Sequence, residues 1–288
     1  MRPCAVLRFD VDTELCLREG VEPLCRTAER HDARLTFFVN PGRAIDRRLL
    51  AHETLFATSK KAGVERAPAF GALSKLGRAE TIRLLMTNPR ILPHQTAMVR
   101  RILDGGHEVG LHGGHNHATW QRKAGEWSRE QLTREVCWGK THLEAAAGGP
   151  VRSFASPGWN SPDLLPDVLI EQEFEAIADF RHPNAGPKRL RTSTGLITSV
   201  PNTLAGEPGG VGYLETRRAA GLSDEAILAE LDVELAHHRP YICLYDHPFY
   251  AGRHAIGLFE RVMEHVLAHG YDVITCSEAA WRTLLIRS

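Results

Sequence analysis

The chain lacks net charge: its 35 Lys and Arg are matched by 35 Asp and Glu. That balance removes any global electrostatic case for nucleic acid as a partner. A glycan or an uncharged amide fits at least as well. No apolar run approaches the ~20 residues of a membrane span. The opening residues lead straight into a strand pattern, without a basic-then-apolar leader, which predicts a cytoplasmic protein. The cysteines at positions 4, 16, 25, 137, 243 and 276 include no C-x-x-C pair. Several lie in apolar strands, so buried free thiols in a reducing compartment are expected, not a disulfide framework. There is no internal repeat and no low-complexity tract. Ser156 has no adjacent base and no nucleophile-elbow glycine pattern, which argues against a serine hydrolase.

What the chain does have is alternation. Strand patterns at 5–13, 34–40, 107–111, 151–156, 175–179, 196–200, 241–245 and 272–275 are separated by helical patterns. These helices are expected at 20–31, 96–104, 127–147, 163–171 and 223–237, the last capped by Ser223, with two more after 245. Such alternation predicts parallel strands with helical crossovers. About seven or eight strands favour an α/β fold of the distorted (β/α)7-type barrel kind over an open sheet. One catalytic domain over residues 1–288 is expected, interrupted at about 41–95 by a helical insertion too long for an ordinary connection. That insertion carries Arg43, Arg47, Arg48, Lys60, Lys61, Lys75, Arg78, Arg83 and Arg90 among apolar helical segments. It reads as a solvated lid, or more sharply as a basic amphipathic surface for an anionic or lipid-linked substrate.

The chemistry is concentrated in two places. The first strand ends in Asp10 and Asp12, spaced i, i+2, so both carboxylates point to the same side. Two acids held together at the end of a buried strand repel and lose hydration. A cation between them, or a role as base, makes that arrangement tolerable; a plain turn cap is the ordinary alternative. The second place is His107-Glu-Val-Gly-Leu-His112-Gly-Gly-His115-Asn-His117. Imidazole with carboxylate is a ligand set for Zn and other first-row metals, and three protein ligands leave a coordination position open. One divalent ion is therefore expected, Zn first, with Co, Ni or Mn as alternatives. His107, at the strand start, is expected to pack and not to ligate.

The order of these pieces resembles the polysaccharide deacetylase family, also called the NodB-homology or carbohydrate esterase 4 group. The resemblance runs through Asp10-Val-Asp-Thr13 with Arg18-Glu-Gly-Val21, then His107 to His112. It continues in Ala118-Thr-Trp-Gln121 with Trp127, a Pro/Trp loop and Leu244-Tyr-Asp-His247. Within the family it is most similar to the branch that deformylates 4-deoxy-4-formamido-arabinose on undecaprenyl phosphate. The resemblance implies that Asp10 is the general base, Asp12 and His112 are metal ligands, and His247 is the general acid. The second histidine departs from the family's usual i, i+4 spacing, because position 116 is Asn. A glycine turn at Gly113-Gly114 would bring His117 back to the metal; His115, or Asn116, is the alternative. Where the family usually has a groove arginine, Phe154-Ala-Ser-Pro157-Gly-Trp159 has none. Arg181 or Arg18 is expected to replace it in orienting the base. Asp179 or Asp246 is expected to orient His247, and Trp159 to wall the sugar groove.

The activity implied is metal-assisted hydrolysis of a formyl or acetyl amide on an amino sugar, free or linked to a lipid or nucleotide. Peripheral membrane contact would come through the insertion. Two alternatives keep the fold: hydrolysis of a cyclic imide or other small amide, and a pseudo-deacetylase that only binds glycan.

Overall fold

The computed structural model describes residues 2–56, 78–92, 94–206, 212–237 and 239–285. Its centre is one sheet of nine strands: β1 Cys4–Val11, β2 Thr36–Val39, β3 Glu108–His112, β4 Ser153–Ala155, β5 Ala176–Ile177, β6 Lys188–Arg191, β7 Leu196–Ser199, β8 Tyr241–Asp246 and β9 Asp272–Val273. The order is β6-β7-β5-β4-β3-β2-β1-β8, with β9 paired to the start of β1. Every pairing is parallel except β6 with β7. Beyond β7, a parallel bridge from Leu204 to Leu244 reaches β8. The Leu204 amide donates to the Cys243 carbonyl at 2.8 Å, and the Tyr245 amide to the Leu204 carbonyl at 3.1 Å. The sheet thus curls into a distorted barrel of the expected kind. β6 is the strand missing from the sequence reading: Lys188-Arg-Leu-Arg191 has no apolar alternation, and it pairs only on the sheet edge.

Strand periodicity sorts side chains between two cores. On β1, Leu7, Phe9 and Val11 join Phe37, Val39 and Leu111 under the surrounding helices. The alternate residues Cys4 and Val6 join Phe38, Ala155, Ala178 and Cys243 inside the barrel. Arg8, Asp10 and Asp12 continue that inward row, as do His112 on β3 and Tyr245 on β8, followed by His247. The polar residues cluster at the carboxyl ends of the strands, where barrels of this type carry their chemistry. All six cysteines are free, and all but Cys137 are buried. Burial pushes the thiols of Cys25 and Cys243 up to about 12.

The segment between β2 and β3, read above as an insertion, contributes the helices Arg47–Phe56 and Arg78–Met86; Lys60, Lys61 and Lys75 lie outside the described residues. Three of its described basic side chains have partners. Arg83 bonds Glu14 and Glu80 at 2.6 Å each, Arg90 lies over the Trp138 ring, and Arg43 donates to the Asn88 carbonyl. Ile82 and Met86 are exposed, Met86 by 74%. Among the described residues, no helix is long and apolar enough to cross a membrane.

The insertion's entry segment also shapes the histidine loop. The Arg43 amide donates to the His115 carbonyl at 2.9 Å, and the His117 amide to the Arg43 carbonyl at 2.8 Å. The Asn116 side-chain amide donates to the Ile45 carbonyl at 2.8 Å. The loop is pressed from the other side by the helix Arg129–Ala147, which starts in a capping box of Ser128 and Gln131. Gly139 on that helix faces the loop so closely that a Cβ there would stand 2.6 Å from the Gly113 carbonyl oxygen. Gly139→Ala should therefore cost ~1–3 kcal/mol of stability as overpacking, although alanine is the better helix former. Urea denaturation of the two proteins checks this; an unchanged or raised midpoint would contradict it.

Candidate active site at the carboxyl end of the barrel

Asp12 lies at the centre. Its Oδ1 is 3.2 Å from Nε2 of His112 and 3.2 Å from Nε2 of His117, and its Oδ2 is 3.3 Å from Nε2 of His247. His112 arrives on β3 with its Nδ1 2.8 Å from the Ala155 carbonyl. Donation there fixes the tautomer and leaves the Nε2 lone pair facing Asp12. His117 arrives by the glycine turn. Gly113 sits at φ +81°, a left-handed conformation, with Pro157 packed where a Cβ would point. Asn116 then caps the helix His117–Lys123 by accepting the Thr119 amide at 3.0 Å. Asn is a favoured cap, so position 116 orients the next residue instead of ligating. His115 points elsewhere: it stacks on Trp138 and lies 3.1 Å from Glu135.

The three donors of Asp12, His112 and His117 lie within 4.8 Å of one another. Asp12 Oδ1 is buried, and neither imidazole meets it with hydrogen-bond geometry. A buried acceptor without a donor, facing two imidazole nitrogens, fits a divalent cation. Burial opposes charge on Asp12, but the imidazoles of His117 and His247 outweigh it and hold its carboxyl well below the usual range. Burial likewise opposes charge on His247. There Asp12 and Glu215 prevail and hold the imidazolium well above its ordinary value of 6.5.

Asp10 is held by an arginine from its own strand. Arg8, 1% exposed, reaches both carboxylate oxygens of Asp10 through Nη2 at 2.7 Å, and its Nε lies 3.2 Å from Oδ1. Its Nη1 donates to the Ala178 carbonyl. The rings of Phe38, Trp159 and Tyr245 surround it at 4.7, 4.9 and 5.2 Å. Neither expected replacement does this. Arg18 lies on the outer surface, bonded to Glu19 at 2.8 Å; Arg181 packs over Trp159, 4.8 Å from its ring. Arg8 was detectable: an arginine inside a buried strand needs a partner, and i, i+2 spacing puts it beside Asp10.

The surroundings of His247 also differ from expectation. Asp246 turns both oxygens to backbone amides, His247 at 2.8 Å and Leu214 at 2.7 Å. Burial raises its carboxyl to about 6. Asp179 binds the amide and hydroxyl of Ser156, at 2.6 and 2.7 Å. The groups that do meet His247 are Glu215, 3.7 Å from Nδ1, and the Tyr245 hydroxyl, 3.0 Å from Nε2. Tyr245 shares the i, i+2 signal. Glu215 had none, because the helix Tyr213–Ala219 that carries it has no clear pattern in the sequence. Pro157 is buried against the glycine turn, and Trp159 stands at the rim with φ +60°.

The sequence matches the family model "Polysaccharide deacetylase" over residues 1–177. A Shewanella sediminis protein named as a 4-deoxy-4-formamido-L-arabinose-phosphoundecaprenol deformylase is 31% identical over 204 residues, 69% of this chain and 62% of the relative. The match thus spans less than two thirds of that relative's length. Among solved structures, one described as a polysaccharide deacetylase of Mycobacterium smegmatis superposes with a TM-score of 0.68 at 18% identity, covering 99% of this chain and 92% of the other. A carbohydrate esterase 4 family pseudoenzyme from Bacillus anthracis superposes with a TM-score of 0.54 at 14% identity, covering 97% and 66%. These two likenesses concern the fold.

Two outcomes follow from the geometry. Arg8→Ala leaves Asp10 a buried carboxylate without its partner and should cost ~3–5 kcal/mol. Adding Asp10→Ala should recover much of that loss, and denaturant titration of the double-mutant cycle reads the coupling. The second concerns metal and pH. In the metal-free protein, His247 contributes stability that is complete below its unfolded value of 6.5 and lost as pH rises through its raised folded value. Bound metal instead requires neutral imidazoles. Added zinc should therefore raise the melting temperature more at pH 8 than at pH 6; an equal or reversed shift would separate the imidazoles from the metal.

Proposed function

Because the chain belongs to the polysaccharide deacetylase family, we propose that it is a metal-dependent amide hydrolase removing a formyl or acetyl group from the nitrogen of an amino sugar. The observation that carries this reading is that Asp10 and His247 flank the Asp12, His112 and His117 cluster. His112 Nε2 is 3.8 Å from Asp10 and 3.2 Å from Asp12, while His247 meets Asp12 from the other side at 3.3 Å. A divalent ion held by Asp12, His112 and His117 would polarise the amide carbonyl and acidify a water.

The chain's own residues account for the proton movements. Asp10 accepts a proton from the attacking water, with Arg8 fixing both of its oxygens so that its orientation survives the transfer. His247 protonates the departing nitrogen, without which the C–N bond does not break. Glu215 stabilises the charged imidazole from the Nδ1 side, and the Tyr245 hydroxyl beside Nε2 limits its rotation. Trp159 offers an apolar face to the sugar ring. The first substrate to try is an N-formyl amino sugar, from the name of the Shewanella relative, with lipid linkage as its extension. The exposed Ile82 and Met86 on the insertion would suit peripheral contact with a lipid carrier. Buried reduced thiols agree with the cytoplasm as its compartment. The pseudoenzyme reading is not favoured, since base, acid and ligand positions are all filled by competent side chains.

The test is release of formate or acetate from N-formyl and N-acetyl amino sugars by protein stripped of metal and reloaded with zinc or cobalt. Activity should appear with metal and vanish with chelator. Asp10→Asn and His247→Ala should each lower kcat by about 10²–10⁴-fold, with zinc content kept in the Asp10 variant. No release from either substrate class by the loaded protein would refute the proposal. Unchanged turnover in Asp10→Asn would remove that residue from the role of base.

A further inference from the structure

The rim of the groove holds a cation without a counterion. Arg181 is half-buried, its guanidinium 4.8 Å from the Trp159 ring, and among the described residues no carboxylate comes within ion-pair distance of it. Arg8, which shares the Trp159 ring with it, does have such a partner in Asp10, and on other parts of the molecule Arg18 has Glu19, Arg83 has Glu14 and Glu80, and Arg253 has Glu19. Between Asp179 and Glu207 the sequence carries Arg181, Lys188, Arg189 and Arg191 and no acid. Lys188 sits over Phe180, 5.1 Å from its ring. Partial burial disfavours the charged state of Arg181, and no carboxylate offsets it.

This cation is held in a fixed place. The Asn202 amide donates to the Phe180 carbonyl at 2.8 Å, and the His182 amide to the Asn202 carbonyl at 3.0 Å, so the backbone on both sides of Arg181 is pinned. Trp159, the platform beneath it, has φ +60°, a conformation that bulky residues avoid and that costs ~1–3 kcal/mol. Strain of that kind persists where the surroundings enforce a side-chain position. An aromatic wall connects the proton donor to the cation. His247 and Tyr245 have ring centroids 5.3 Å apart, Tyr245 and Trp159 5.0 Å, and Arg181 comes next at 4.8 Å. Tyr245 is buried within that row, so Trp159 is its ligand-facing member, and a sugar with its acylated nitrogen at His247 would turn its remote ring carbon toward Arg181.

We propose that Arg181 is the anion-recognising residue of this groove, binding a phosphoryl group that the amino-sugar substrate carries at the ring position remote from its acylated nitrogen. The inference rests on the amide-hydrolase reading. A planar guanidinium matches phosphate oxygens in pairs, and an uncharged sugar needs no desolvated cation. The phosphoryl group belongs either to a free sugar phosphate or to a phosphodiester with a prenyl chain.

The test uses the full chain with zinc and the Asp10→Asn change, so that ligand survives the measurement. Calorimetry compares three ligands with the same N-formyl amino sugar: the methyl glycoside, the 1-phosphate and a short prenyl phosphodiester. The phosphorylated ligands should bind at least tenfold more tightly than the methyl glycoside at low salt, and the gap should narrow as salt rises. Arg181→Gln should reduce that gap to less than threefold, and Arg181→Lys should keep an intermediate gap. The tighter of the two phosphorylated ligands identifies the source of the phosphoryl group. A gap that persists in Arg181→Gln, or no gap in the parent, overturns the proposal. If Arg181→Gln does not fold, Arg181→Lys decides, since a full-sized gap there contradicts paired recognition. Formate release with Asp10 intact is scored separately, so a failed hydrolase reading is distinguishable from a failed assignment of Arg181.

Discussion

Asp12 offers one buried oxygen to two imidazole nitrogens at 3.2 Å and the other oxygen to a third at 3.3 Å. His112, His117 and His247 all meet Asp12 within 3.3 Å, and the architecture around them can be read as support for that cluster. A charge taken from water costs several kcal/mol unless compensated. The barrel meets this requirement by drawing the groups from separated parts of the chain, the opening strand, the middle histidine loop and the last long strand. No local rearrangement of one segment can then disperse them. The parallel register of β1 with β8 brings Arg8 beside Tyr245 and Phe9 beside Asp246, so the opening strand and the strand leading to His247 are fixed against each other.

The Arg8–Asp10 pair shows how the fold handles a second desolvated acid without a cation from solution. The guanidinium stays charged because Asp10 outweighs the burial that opposes it. Three aromatic rings exclude water from its faces, and the Ala178 carbonyl takes the remaining donor. An arginine supplied within two residues of its partner needs no loop to deliver it. The segment after β4 is thereby released from that duty. There Ser156 is bound by Asp179, and Trp159 is free to form the rim.

Much of this was legible in the sequence because strand periodicity and the Asp, His and Gly spacings are local signals. The paired aspartates Asp10 and Asp12, the histidine loop, the barrel class and the cap at Ser223 follow from them; His247, and the separate roles of Asp10, Asp12 and His112, follow only from the resemblance to the family. The failures share a cause. Asn116 as a helix cap, Asp246 as a backbone acceptor and Asp179 as the partner of Ser156 depend on which backbone amides happen to be nearby, and those come from distant segments. Arg8 is the exception. It obeys the same i, i+2 rule as the aspartates, whereas the family resemblance points to the groove loop for an arginine. Glu215 depends on a short helix whose place is set by contacts with distant segments, among them the Leu214 amide bond to Asp246 and the Arg217–Glu230 ion pair.

The entry and exit of the insertion are stitched to each other. Arg43 and Arg90 form an antiparallel bridge, the Ile91 amide donates to the Gly42 carbonyl at 3.0 Å, and the Leu92 amide to the Pro41 carbonyl at 3.3 Å. A stalk closed at its base makes whatever it carries exchangeable, since lengthening, shortening or replacing the excursion leaves the junction's own bonds intact. Yet the same junction grips the backbone on both sides of Asn116. The appendage is thus modular in what it presents outward and continuous, through two peptide groups, with an imidazole at the reaction centre. Lineages could retailor the outer part for new molecular surfaces without rebuilding the chemistry.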